Sequence, residues 1–66
     1  MTNLETRVEA FEFLDNLRES GVVNMFGARP ILADALELDQ AEATELLSTW
    51  MRTFDEDVPA ATRAAT

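Results

Sequence analysis

The chain contains no cysteine, histidine, lysine or tyrosine, and only two glycines and two prolines in 66 residues. Without cysteine there are no disulfides and no thiolate metal sites. Without histidine, cysteine, lysine or tyrosine the usual general bases and covalent nucleophiles are missing, which leaves Asp, Glu, Ser and Thr. Ser20 precedes a helix-stopping glycine and Ser48 falls on a polar helix face, so both read as structural. A helical bundle of this length has little room for a cleft around paired carboxylates. No enzymatic activity is expected. Asp55-Glu56-Asp57 lacks the alternating spacing and glycine of a calcium loop and reads as a solvated acidic spacer, so no metal or cofactor is expected.

Two further absences concern location. No apolar run approaches the roughly 20 residues needed to cross a bilayer. The opening Met-Thr-Asn-Leu-Glu-Thr-Arg has no basic segment followed by an apolar stretch, as a secretory signal would. The expectation is a cytoplasmic chain that neither spans nor binds a membrane.

What the chain does have is acid and apolar surface. Thirteen acids against five arginines give a net charge of −8. Such a surface repels nucleic acid and anionic lipid and favours basic partners. The same acidity also keeps a small protein in solution, and a GC-rich or salt-adapted source would produce it without any partner. Hydrophobic residues make up 47% of the chain, too many for a disordered segment, and they recur with helical period. Sixty-six residues permit one domain, small enough that a second subunit or a partner is the available route to added stability.

The periodicity predicts three helices. Helix one runs from about Asn3 to Ser20, with Leu4, Val8, Phe11, Leu14 and Leu17 as its apolar stripe and Phe13 widening it. Thr2 and Glu5 have capping-box spacing at its start. Gly21 supplies a left-handed residue after the last turn, and Val22 can fold back onto Leu17. Val22 to Arg29 is a loop carrying Val22, Val23, Met25 and Phe26, a set that must dock on the core or on a partner. Helix two spans Pro30 to about Glu37, with Ile31, Leu32, Ala35 and Leu36 inward. Asp39 and Glu42 form a second capping box, and Ala43, Leu46, Leu47, Trp50, Met51 and Phe54 make the stripe of helix three. Residues 1–54 thus form an all-α three-helix bundle. The acidic, Pro-, Ala- and Thr-containing stretch 55–66 reads as a disordered tail.

Leu32 to Met51 has the apolar spacing of a helix-turn-helix. In DNA-binding versions the second helix offers basic and amide groups, whereas here it offers Asp39, Glu42 and Glu45, with Arg52 alone near its end. Phosphates would repel that surface, so no direct nucleic-acid binding is expected.

Two surfaces are candidate contact sites. Glu5, Glu9, Glu12 and Glu19 share one side of helix one, with Asn16 between them, and suit a basic protein partner. The plainer reading is an ordinary solvent face. Phe13, Met25, Phe26, Trp50 and Phe54 are apolar groups in excess of what three short helices enclose, and suit a protein partner or self-association. The plainer reading of the loop pair is a plug for the bundle's open end.

Leu17-Arg18-Glu19-Ser20-Gly21, Asn24-Met25-Phe26-Gly27-Ala28, Glu42-Ala43 and Trp50-Met51 resemble a group of small uncharacterised helical proteins of tailed bacteriophages. The likeness covers about Phe13 to Met51, and the Asn-Met-Phe-Gly-Ala string is its most specific part. This chain departs from the group in being more acidic and free of lysine. The resemblance implies a phage or prophage origin and an accessory factor that binds and redirects host machinery, working in the host cytoplasm. The expected function is therefore a small acidic protein–protein interaction module that binds a host or phage protein. The alternatives are an acidic inhibitor that occupies a nucleic-acid site on a host enzyme, and a minor structural component of a virion.

Overall fold

The computed structural model describes residues 3–21 and 27–65. Among them are four helices: α1 (Leu4–Glu19), α2 (Ala28–Leu36), α3 (Gln40–Thr53) and α4 (Ala60–Ala64). The all-α expectation holds. The expected three-helix bundle with a disordered tail is wrong, because part of that tail is α4, and Ala60 and Ala64 are buried in the same cluster as the other three helices.

Local chemistry sets the ends of α1. Asn3 has extended backbone and its side-chain oxygen accepts from the Thr6 N–H at 2.8 Å, so the cap lies one residue later than the Thr2–Glu5 box predicts. At the other end the Ser20 hydroxyl donates to the Leu17 carbonyl at 2.6 Å. The chain then leaves through Gly21 at φ +102°, the positive-φ glycine expected there. The expected Val22–Leu17 contact lies outside the described residues.

Helix α2 begins two residues before Pro30 and ends one before Glu37. Pro30 is then its third residue. A first-turn N–H has no intrahelical acceptor, so the ring removes no helical bond. The exit is less usual: Glu37 takes left-handed backbone (φ 55°, ψ 46°), and the Leu38 N–H donates back to the Ala33 carbonyl at 2.9 Å. This is the Schellman pattern with glutamate standing where glycine is ordinarily found. Asp39 caps α3 as expected, accepting from the Glu42 N–H at 2.8 Å.

The core draws on all four helices: Ala10, Phe11 and Leu14 from α1, Ala28 and Leu32 from α2, Ala43, Leu46, Leu47 and Trp50 from α3, and Ala60 and Ala64 from α4. α2 packs chiefly on α3, while α4 packs chiefly on α1. Three residues expected inward are not. The buried edge of α2 runs through Ala28, Leu32 and half-buried Leu36 at steps of four, which leaves Ile31 (46% exposed) and Ala35 outside. Leu4, in the first turn of α1, is 54% exposed.

After α3 the chain turns sharply at the acidic triplet. The Asp55 carboxylate accepts from the Asp57 N–H at 2.9 Å, and its carbonyl accepts from the Val58 N–H at 3.1 Å. Pro59 is extended and opens α4. Five residues cannot hold a helix on their own in water, so α4 depends on what it docks against. Ala60, Arg63 and Ala64, at i, i+3 and i+4, form its buried face.

Candidate functional site

Helix α1 presents two different sides. On its outer side Glu5, Glu9, Glu12 and Glu19 are all exposed, and so is Asn16. Their positions fall within a sector of roughly 80° at 100° per residue, and they extend over roughly 21 Å at 1.5 Å per residue. Among the described residues none of the four forms an ion pair. The arginines of this helix lie elsewhere: Arg7 is half-buried, and the guanidinium of Arg18 rests 4.5 Å from the centroid of the Phe54 ring. Among the described residues the acidic face is therefore not neutralised by an ion pair at any of its four carboxylates.

On the flank facing α3 and α4, Asp15 joins three helices. One carboxylate oxygen accepts from the Trp50 indole N–H at 2.8 Å, and the other accepts from the Arg63 guanidinium. Trp50 is 3% exposed and Arg63 4%, whereas the Asp15 side chain keeps 29% of its surface. Arg63 also donates through Nε to the Val58 carbonyl at 2.9 Å. Its guanidinium carbon lies 5.1 Å from the Phe54 ring centroid and 6.0 Å from that of Phe11. Phe54 packs in turn on Trp50, with centroids 5.1 Å apart and planes tilted by 53°. A buried cation needs an opposite charge and acceptors nearby; Asp15 supplies the charge, Asp15 and Val58 accept from Nη2 and Nε, and the two rings flank the guanidinium.

Two hollows border this arrangement. A cavity of about 80 Å³ is lined by Asp15, Arg18, Glu19, Phe54, Glu56, Val58 and Arg63. A shallower depression of about 450 Å³ lies along the seam between α1 and α4, lined by Glu12, Asp15, Asn16 and Ala60. Glu12 and Asn16 belong also to the acidic face, so the seam opens onto it.

Of the expected apolar contact set, the three described members, Phe13, Trp50 and Phe54, do not form an exposed surface. Trp50 is in the core, where burial of its ring and a bond to its N–H make it a poor anchor for a partner. Phe54 is half-buried beneath two guanidinium groups, and Phe13 is half-buried against the core cluster. Met25 and Phe26 lie outside the described residues. Sequence reasoning passed over Asp15 and Arg63 altogether. A signal was available: a buried Trp N–H needs an acceptor, and Asp15 is the carboxylate closest in helical angle to Phe11 and Leu14 on α1.

No helix among the described residues is long and apolar enough to cross a membrane. No family model, curated protein or solved structure matches the chain.

Proposed function

We propose that this chain is a small acidic protein–protein interaction module that engages a basic protein through the outer face of α1. The observation that carries the reading is the exposed row Glu5, Glu9, Glu12 and Glu19, with no ion pair among the described residues. Glu5–Glu9 at i, i+4 and Glu9–Glu12 at i, i+3 repel one another by a few tenths of a kcal/mol each. A basic partner would relieve that repulsion on contact. Burial of Trp50 and Phe54 supports the acidic face over an aromatic one. The resemblance in the Asn24–Ala28 string supports a phage-encoded accessory or regulatory factor acting on a host or phage protein in the host cytoplasm.

The same face invites comparison with nucleic acid. A duplex carries one charge per ~1.7 Å of axis, or about twelve over 21 Å. Four carboxylates over that length are too sparse to stand in for it, which favours a discrete basic protein surface. The acidic leading half of α3 likewise argues against a helix-turn-helix that reads DNA.

The test is retention of a partner. The tagged chain and a variant with Glu5, Glu9, Glu12 and Glu19 all changed to Gln are immobilised and exposed to host lysate at graded salt. The reading expects a protein held by the native chain, released as salt rises and absent from the variant. A partner retained equally by both would place the contact elsewhere on the molecule.

A further inference from the structure

We infer that α4 is a releasable internal ligand, seated in a groove of α1 and α3 that an arginine-bearing segment of a basic partner can take over. The apolar groups that α4 places in the core are two alanines, Ala60 and Ala64, and an alanine methyl removes little surface from water. The largest fully buried side chains, Phe11, Leu14 and Leu32, belong to α1 and α2. Among the described residues every large apolar side chain of the buried cluster is thus supplied by α1, α2 and α3, and α4 adds none. Beyond those two alanines, α4 is tied down by one polar side chain, Arg63, through the Asp15 carboxylate, the Val58 carbonyl and the faces of Phe54 and Phe11. Elements with few buried apolar contacts open first, below the free energy of global unfolding.

The groove specifies its occupant. Lifting α4 leaves an aromatic floor of Phe11 and Phe54, the carboxylate of Asp15 still fixed by Trp50, and Glu12 and Glu56 at the rim. That is a seat for a guanidinium flanked by small residues, and α4 itself, Ala60-Ala61-Thr62-Arg63-Ala64, shows that such a segment fits. Because the seam opens onto the acidic face at Glu12 and Asn16, a basic protein drawn to that face would meet the groove at its edge. The identity of the occupant rests on the acidic-face reading; the opening of α4 does not.

Two measurements on the full chain test the inference. The first is native-state hydrogen exchange, comparing the amides of Thr62 and Arg63, bonded to the Pro59 carbonyl at 3.0 and 3.1 Å, with those of Leu46, Leu47 and Trp50. Exchange in α4 at least about tenfold faster than in α3 is expected for local opening. Equal rates, both set by global unfolding, would overturn it. The second titrates a synthetic peptide spanning residues 55–66 into the Arg63→Ala chain while the Trp50 indole N–H resonance is followed. The peptide should shift that resonance, and the same peptide carrying Arg63→Ala should not. The native chain should respond at least about tenfold more weakly, because its own α4 is tethered at high effective concentration. Indifference of the Arg63→Ala chain to the native peptide overturns the inference. So does an Arg63→Ala chain that has lost the helicity of α1, α2 and α3, since the groove would then not exist without α4. Neither readout involves Glu5, Glu9 or Glu19, so failure here leaves the acidic-face reading standing. Failure of the glutamine variant to lose its partner leaves the opening of α4 standing.

Discussion

Arg63 donates its guanidinium to the carboxylate of Asp15, 48 residues earlier in the chain, and the same carboxylate accepts the indole N–H of Trp50. One acid therefore ties α1 to α3 and to the C-terminal segment. Loss of a buried pair's cation costs less when the acid left behind can be solvated, and more when the cation is left buried without its acid. Asp15 keeps solvent contact and Arg63 almost none. Asp15→Ala should accordingly destabilise the chain more than Arg63→Ala, by about 1 kcal/mol, because it also strips the acceptor from Trp50. Urea unfolding followed by helical circular dichroism measures both. The reverse order would mean that Arg63 is held mainly by the aromatic rings.

Truncation after Asp57 removes Arg63 and the two buried alanines. It should lower stability by about 2 kcal/mol, or roughly 8–16 °C in thermal midpoint for a domain of this size. Helicity equivalent to α1, α2 and α3 should survive at low temperature. Differential scanning of the two chains checks it, and an unchanged midpoint would return residues 58–66 to the disordered tail that their composition suggests.

Glu37→Gly should stabilise the chain by about 0.5–1 kcal/mol. Glu37 occupies left-handed backbone that costs a side-chain-bearing residue about 1 kcal/mol or more, and it sets a negative charge at the C-terminus of α2, where the helix dipole is unfavourable to it. Glycine removes both penalties, and its greater freedom when unfolded takes back part of the gain. A lower urea midpoint for Glu37→Gly would mean that the glutamate side chain makes a stabilising contact there.

Gly21→Val should cost more than Ser48→Ala. At φ +102° a β-branched residue is strained, although among the described residues no atom beyond its chain neighbours lies within 4 Å of where its Cβ would stand, so the penalty is one of backbone. Ser48 is exposed, and its replacement by alanine should leave the midpoint within about 0.5 kcal/mol of the native value. Equal midpoints would show that α1 does not end at this glycine.

Much of the fold was legible because it is written locally. The Asp39 cap, the Gly21 exit, and the stripes through Phe11–Leu14 and Leu46–Trp50 each depend on residues within one or two turns of one another. Errors of one or two residues arose where neighbours compete for one role: Asn3 rather than Thr2 caps α1, and Pro30 sits inside the first turn of α2 rather than opening it. α4 was illegible for a different reason. Its face is Ala60, Arg63 and Ala64, with no large apolar residue, so periodicity has nothing to register. It is helical because of Asp15, on a helix 48 positions away, and no local window joins the two. The acidic face of α1 was legible residue by residue, since an i, i+4, i+7 spacing of exposed acids needs no tertiary information.

The most direct measurement is a double-mutant cycle on the pair that closes the bundle. Asp15→Asn keeps an acceptor for Trp50 but removes the charge, and Arg63→Met keeps the length and apolar contact but removes the guanidinium. Urea unfolding of the native chain, both single variants and the double variant isolates the interaction between the two side chains. A coupling of about 0.5–3 kcal/mol is predicted, the range found for groups sharing one polar network. Free energies that simply add, to within ~0.3 kcal/mol, would contradict the account, since α4 would then be held by packing alone and Asp15 would not be the residue that closes the bundle.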